Sequence, residues 1–148
     1  MERFTCRPAR MGDAAAIAAV FSRSFRLLTF LPMLHTVDED RRFIESIILR
    51  NCEVTVAQSG KDIVSFLARE KEEIRLLYTD PAFIRSGAGT LLLEAAKSAD
   101  VAALELWCFQ ANIRARSFYE GRGFLATRFT DGSGNEERMP DVRYRWQR

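Results

Sequence analysis

Residues 80–90 read Asp-Pro-Ala-Phe-Ile-Arg-Ser-Gly-Ala-Gly-Thr, and two glycines one residue apart before an apolar helical run could cradle phosphate. A strand ending in such a loop leaves the first backbone N–H groups of the following helix unpaired and aimed outward. The helix dipole adds partial positive charge at the same place. Gly87 and Gly89 let the main chain approach a phosphate closely and tolerate positive φ, while Arg85 and Thr90 add a guanidinium and a hydroxyl. Ser86 and Ala88 complete the loop with two more amides. A plain tight turn would use the same residues. Two other phosphate sites fail on spacing: a dinucleotide fingerprint needs a third small residue where Leu92 stands, and a P-loop needs lysine after Gly89, where Thr90 stands.

The loop works only if a strand enters it and a helix leaves it. Residues 73–79 form a strand-like run stopped by Asp80-Pro81, and Leu91, Leu92, Ala95 and Ala96 mark a helix from Thr90 to about Ser98. Upstream, residues 4–7 read as a strand. Ile17, Val20, Phe21, Ser24 and Phe25 mark a first helix, and Phe43, Ile44, Ile47 and Ile48 a second helix starting near Val37. Between these helices, residues 27–35 form an apolar loop without a period. Residues 52–57 and 63–68 flank a glycine turn as a hairpin. Downstream come a strand at 103–109, a helix at 112–121, a strand at 124–129, a polar turn and a last strand. In that last strand Val142, Tyr144 and Trp146 alternate with Arg143, Arg145 and Gln147. The order β-α-α-β-β-β-α-β-α-β-β predicts an α/β (α+β) fold with a mixed central sheet flanked by helices, and no repeat or linker divides residues 1–148.

Composition narrows the function. With 47% apolar and 28% charged residues, 148 residues make one ordinary globular domain. A net charge of +2 points to neither a nucleic-acid binder nor an acidic tail. The longest apolar run, Ala14 to Phe21, is eight residues, against the roughly 20 needed to span a bilayer; no membrane partner and a cytoplasmic location are expected. Cys6, Cys52 and Cys108 are too far apart for a metal knuckle, and His35 is the only histidine, so no metal is expected.

From Leu106 to Phe124 the chain reads Leu-Trp-Cys-Phe-Gln-Ala-Asn-Ile-Arg-Ala-Arg-Ser-Phe-Tyr-Glu-Gly-Arg-Gly-Phe. Glycine loop, strand, Asn-x-x-Ala helix, Phe-Tyr-Glu and Gly-Phe, in this order and spacing, resemble the GNAT superfamily of N-acetyltransferases over residues 73–124. The resemblance implies an acetyl-CoA-dependent N-acyltransferase acting on an amine; a non-catalytic acyl-CoA sensor or scaffold with the same fold is the alternative. It places the coenzyme A (CoA) pyrophosphate on the amides of Arg85, Ser86, Gly87, Ala88, Gly89 and Thr90. The pantetheine arm would lie along the backbone of Leu77, Tyr78 and Thr79, with the Leu77 N–H facing the thioester carbonyl. Asn112 matches the family asparagine at the start of the next helix, and could equally be a simple N-cap. Tyr119 matches the tyrosine that protonates the departing thiolate. The chain departs from the pattern at Ile84, where the family usually has Gln or Arg; Arg85 is its charged neighbour.

An alkyl amine has a pKa near 10.4, so a proton must leave before attack on a thioester. Glu73, at the position of the base in some members of the family, is the expected acceptor, ahead of Glu72 and Glu70. The acceptor pocket is expected between residues 25–35, including His35, and the 131–141 loop, whose Glu136 and Glu137 would attract a cationic amine. Small amines and peptide or protein amines stay open as acceptors, as does a homodimer. Arg143, Arg145 and Arg148 make a basic row that reads as a solvated strand face.

Overall fold

The computed structural model describes residues 3–148. Seven strands form one sheet in the order β1-β2-β3-β4-β5-β7-β6. They are β1 (Thr5–Pro8), β2 (Glu53–Ser59), β3 (Asp62–Glu70), β4 (Glu73–Thr79), β5 (Ala103–Phe109), β6 (Leu125–Phe129) and β7 (Asp141–Gln147). Every neighbouring pair is antiparallel except β4 and β5. The mixed sheet and the element order expected from the sequence are what the structure has. Its crossover after β5 goes further than adjacency predicts, because β7 inserts between β5 and β6.

Helices α1 (Ala14–Phe25), α2 (Val37–Phe43), α4 (Ala88–Lys97) and α5 (Ile113–Glu120) cover the sheet. Two apolar clusters hold them. In one, Leu92, Leu93 and Ala96 of α4 and Tyr119 of α5 meet Val64, Leu67, Leu104, Leu106 and Tyr144. In the other, Ile17, Val20 and Phe21 of α1 meet Ile44, Ile48, Val56 and Phe66. Strand β3 sends Val64 and Leu67 to the first cluster and Phe66 and Ala68 to the second, so the middle of the sheet is apolar on both faces and lies between helix layers, while the edge strand β6 is exposed. Among the described residues no helix is long and apolar enough to cross a membrane.

The second helix is not uniform. Thr36 caps α2 by accepting the Glu39 N–H, and Glu39 answers on the Thr36 N–H. Beyond Phe43 the chain widens into a π-helical stretch (Ile44–Ile48) before the short α3 (Leu49–Asn51). The wider turn brings Ile44 and Ile48 both to full burial and rotates Ile47 out to 41% exposure. A regular helical period had put all three on one face.

Candidate active site

Strands β4 and β5 pair only at Glu73 and Glu105, where the Glu105 N–H donates to the Glu72 carbonyl (2.8 Å) and the Ala103 N–H to the Glu72 carboxylate (3.1 Å). Beyond that point they separate. On the other edge of β4, Ala68 faces Leu76 while Arg69 faces Ile74, so Arg75 is an extra, bulged residue. A bulge bends its strand and disturbs the ladder beside it, which accounts for the divergence. The Asp80 N–H donates to the Val64 carbonyl at 2.7 Å. Alternation along an antiparallel strand then turns the main-chain groups of Tyr78 toward β3 and those of Leu77 and Thr79 toward β5. The Thr79 carbonyl takes the Ser24 hydroxyl of α1 (2.8 Å), and the Leu77 N–H is left facing the gap.

The gap opens into a cleft of about 1180 Å³. Leu77, Tyr78, Thr79, Arg85, Ser86, Gly87, Gly89, Thr90, Asn112 and Tyr119 all line it. Helix α4 starts at Ala88, two residues earlier than its apolar period indicates, so the glycine loop is itself the first helical turn. Gly87 caps it in the left-handed region (φ 99°), and Arg85 also has positive φ (64°). The Leu91 N–H is the first to bond back, to the Gly87 carbonyl at 3.0 Å. Among the described residues the amides of Arg85, Gly87, Ala88, Gly89 and Thr90 have no protein acceptor, while Ser86 spends its own on the Phe83 carbonyl (3.3 Å). Ala88 contributes only its amide, since its side chain is fully buried. At Gly89 a Cβ would lie 3.4 Å from Thr79 Oγ1 and 3.6 Å from Phe118 Cζ, so a larger side chain would push the loop from β4 and α5.

Tyr119 lies on α5 against Phe118, Phe124 and Tyr144, 8% exposed. Its hydroxyl has no hydrogen-bond partner among the described residues, and burial pushes the phenol well above its ordinary range. Asn112 is the N-cap of α5, its Oδ1 accepting the Ala115 N–H (3.2 Å). Arg122 is a lining residue that sequence reasoning missed. Its guanidinium lies 4.0 Å over the Phe118 ring and donates to Thr90 Oγ1 (2.8 Å) and to the Phe118 carbonyl (3.0 Å). Its Nε is buried without a partner. No local pattern distinguishes this arginine; the fold alone brings it to the mouth of α4.

The structure does not bring Glu73 to the cleft. It sits at the closed end of the β4–β5 gap and accepts two hydrogen bonds from Arg143, which also reaches Glu105 (3.2 Å). The Glu73 hydrogen bonds are the chief reason that the Arg143 guanidinium is held more firmly protonated. A carboxylate committed to a bidentate guanidinium is poorly placed to take a substrate proton. The basic row is engaged too: Arg145 pairs with Glu105 (3.2 Å), and Arg148 bonds the Val101 and Ala99 carbonyls.

A second cavity of about 480 Å³ is lined by Trp107, Cys108, Phe109, Glu137 and Asp141 among others. The two segments expected to wall the acceptor pocket divide between the cavities. Leu27, Leu28 and Phe30 line the larger cleft, and residues of the 131–141 loop line the smaller. The 25–35 segment is tied to β5 by a T-shaped Phe30–Phe109 contact at 6.0 Å and to the 131–141 loop by His35 Nε2 on Glu136 Oε1 at 2.7 Å. The Glu136 hydrogen bond raises the His35 pKa above its ordinary 6.5, with Glu39 adding to the rise. Arg26 is the cation nearby, bonded to the His35 carbonyl (3.0 Å). A raised folded-state pKa means that this tie is fully formed below 6.5 and is lost as pH rises through the raised value. The single imidazole signal is therefore expected to titrate above 6.5 by NMR, and Glu136→Gln to return it toward 6.5. An unchanged midpoint would exclude the contact.

The family model for the acetyltransferase (GNAT) domain matches residues 29–147. Solved structures superpose over the whole chain. The apo form of YjaB from Escherichia coli is 22% identical with a TM-score of 0.79, covering 97% of each chain. An acetyltransferase from Thermus thermophilus is 20% identical, with a TM-score of 0.76 and full coverage of both. The PaiA N-acetyltransferase of Thermoplasma acidophilum, solved with coenzyme A, is 16% identical with a TM-score of 0.80 and covers 99% of each. With four-fifths of its length under that model and a sheet split beside an unpaired helix mouth, this chain belongs to the GNAT acetyltransferase family.

Proposed function

We propose that the protein binds acetyl-coenzyme A in the larger cleft and transfers its acetyl group directly to an amine. The observation that carries this reading is the mouth of α4, where five amides between Arg85 and Thr90 point at no protein acceptor. Backbone donors at a helix N-terminus suit a diphosphate, and the guanidinium of Arg85, which pairs with no described residue, and that of Arg122, whose Nε is buried without a partner among them, add positive charge beside them. The acetyl thioester supplies the activated carbonyl.

The chain's own groups do the rest. Leu77 and Thr79 offer strand-edge main chain to the extended arm, and the Leu77 amide can hydrogen-bond the oxygen on which charge develops. Tyr119 lines the cleft from α5, and its hydroxyl, bonded to no described residue, can donate to the departing sulfur. Calorimetry is expected to show saturable coenzyme A binding, and free-thiol release from acetyl-coenzyme A is expected to rise over background with at least one amine in a broad panel. Binding without amine-dependent thiol release would favour an acyl-CoA sensor. Absence of binding would end both readings.

A further inference from the structure

The smaller cavity holds a carboxylate that no described residue pairs with. Glu137 is half-buried on its lining and makes no hydrogen bond or ion pair with the described residues. Its acidic neighbours are all engaged. Asp141 accepts from the Thr130 hydroxyl and from Asn135 Nδ2 (3.2 Å), Glu136 holds His35, and Glu73 and Glu105 hold Arg143. Trp107, 44% exposed, and Phe109 give the same cavity aromatic walls. Arg128, exposed on β6, is the only cation on the lining. Glu137 also bears on the cleft next door: burial raises the Tyr78 phenol, and the Glu137 charge adds to that rise. Tyr78 packs with the α1 cluster and Tyr119 with the α4–α5 cluster, so the two phenols lie on opposite faces of the sheet.

Resting on the transferase reading above, we infer that Glu137 receives the acceptor's ammonium group and takes its proton, and that this cavity accepts a small primary amine carried on an apolar or aromatic body. A volume of about 480 Å³ suits a small molecule, pockets for which run to roughly 300–1,000 Å³. A carboxylate beside aromatic faces is the environment an organic ammonium prefers. The proton balance is simple. The N–H bonding pair becomes the new N–C bond and that proton goes to a Glu137 oxygen. The C–S pair leaves with sulfur, and a second proton shed by the nitrogen ends on sulfur. A carboxylate is a far weaker base than an alkylamine, so transfer completes only as the nitrogen commits its electrons to carbon.

The test uses 2-phenylethylammonium as probe, titrated into the protein with and without coenzyme A while the Trp107 indole signal is followed by NMR. A saturable shift is expected in the native protein. Glu137→Gln should weaken that binding at least about tenfold, as loss of a charged hydrogen-bond partner does. It should lower kcat/KM for the amine by the same factor or more, with coenzyme A affinity unchanged by calorimetry. No saturable shift in the native protein, or equal affinity in the variant, overturns the inference. Failure of both proteins to bind coenzyme A would instead remove the transferase reading, and the amine titration would still decide whether Glu137 binds the cation.

Discussion

Tyr119→Phe is expected to lower turnover at least about tenfold, with coenzyme A affinity little changed; a positioned proton donor contributes about 10²–10⁴-fold, and a hydrogen bond alone contributes less. The substitution is unusually clean. The Tyr119 hydroxyl bonds to no described residue, so its removal orphans no partner. The ring contacts with Phe118, Phe124 and Tyr144 survive in phenylalanine. Fold stability should therefore hold while the cleft loses one donor. Burial keeps the phenol protonated throughout the neutral range, so the active form is present at every pH where the protein is studied. A thiolate, with a pKa near 8.5, is a weaker base than the buried phenolate. In the proposed transfer Tyr119 would therefore stabilise the leaving sulfur chiefly by hydrogen bonding, with the nitrogen's second proton relayed to sulfur through solvent. Thiol-release kinetics on the purified variant decide the matter: turnover equal to that of the native protein excludes the role.

Gly132→Ala should undo the loop that carries Glu137. A Cβ there would fall 2.3 Å from the Met139 carbonyl carbon and 2.4 Å from its oxygen, and Gly132 has φ of +86°. Left-handed backbone costs a side-chain-bearing residue about 1–2 kcal/mol, and overpacking against the main chain adds roughly 1–3 kcal/mol. The loop cannot yield cheaply, because Asn135 staples it. Its Nδ2 donates to the Met139 carbonyl (2.7 Å) and its Oδ1 accepts the Met139 N–H (3.2 Å). Hydrogen exchange of the Met139 amide is expected to accelerate about thirtyfold or more, the equivalent of roughly 2 kcal/mol. Gly134→Ala, with nothing within 4 Å of its Cβ and no positive φ, is the control and should exchange as the native protein does. Equal exchange in the two variants would show that the close approach at Gly132 is not a constraint.

The amino-acid order was sufficient for whatever depends on neighbours along the chain. Alternating and helical apolar periods delimited β4 and β5 at the bounds observed, and two glycines before an apolar run marked the helix mouth, because the residues that form a helix N-terminus are contiguous. Asn112 was readable as an N-cap for the same reason. What sequence could not supply is contact between distant segments. Arg143 and Glu73 are 70 positions apart, Arg122 and Thr90 32, and His35 and Glu136 101. A period reports which face of an element is buried, not what covers it.

The base illustrates the difference. From its strand position Glu73 is as good a candidate as any carboxylate; the tertiary structure gives it to Arg143 and leaves Glu137, in a loop with no period at all, facing a cavity beside the cleft. The cleft itself was likewise decided by folding. One bulged residue, Arg75, turns β4 from its parallel neighbour, and a single extra residue in a seven-residue strand leaves no trace in the apolar pattern. Sequence thus determined the elements and the glycine loop at the mouth of α4. Only the packed sheet determined where the strands part, because that depends on hydrogen bonds made across strands and not along them.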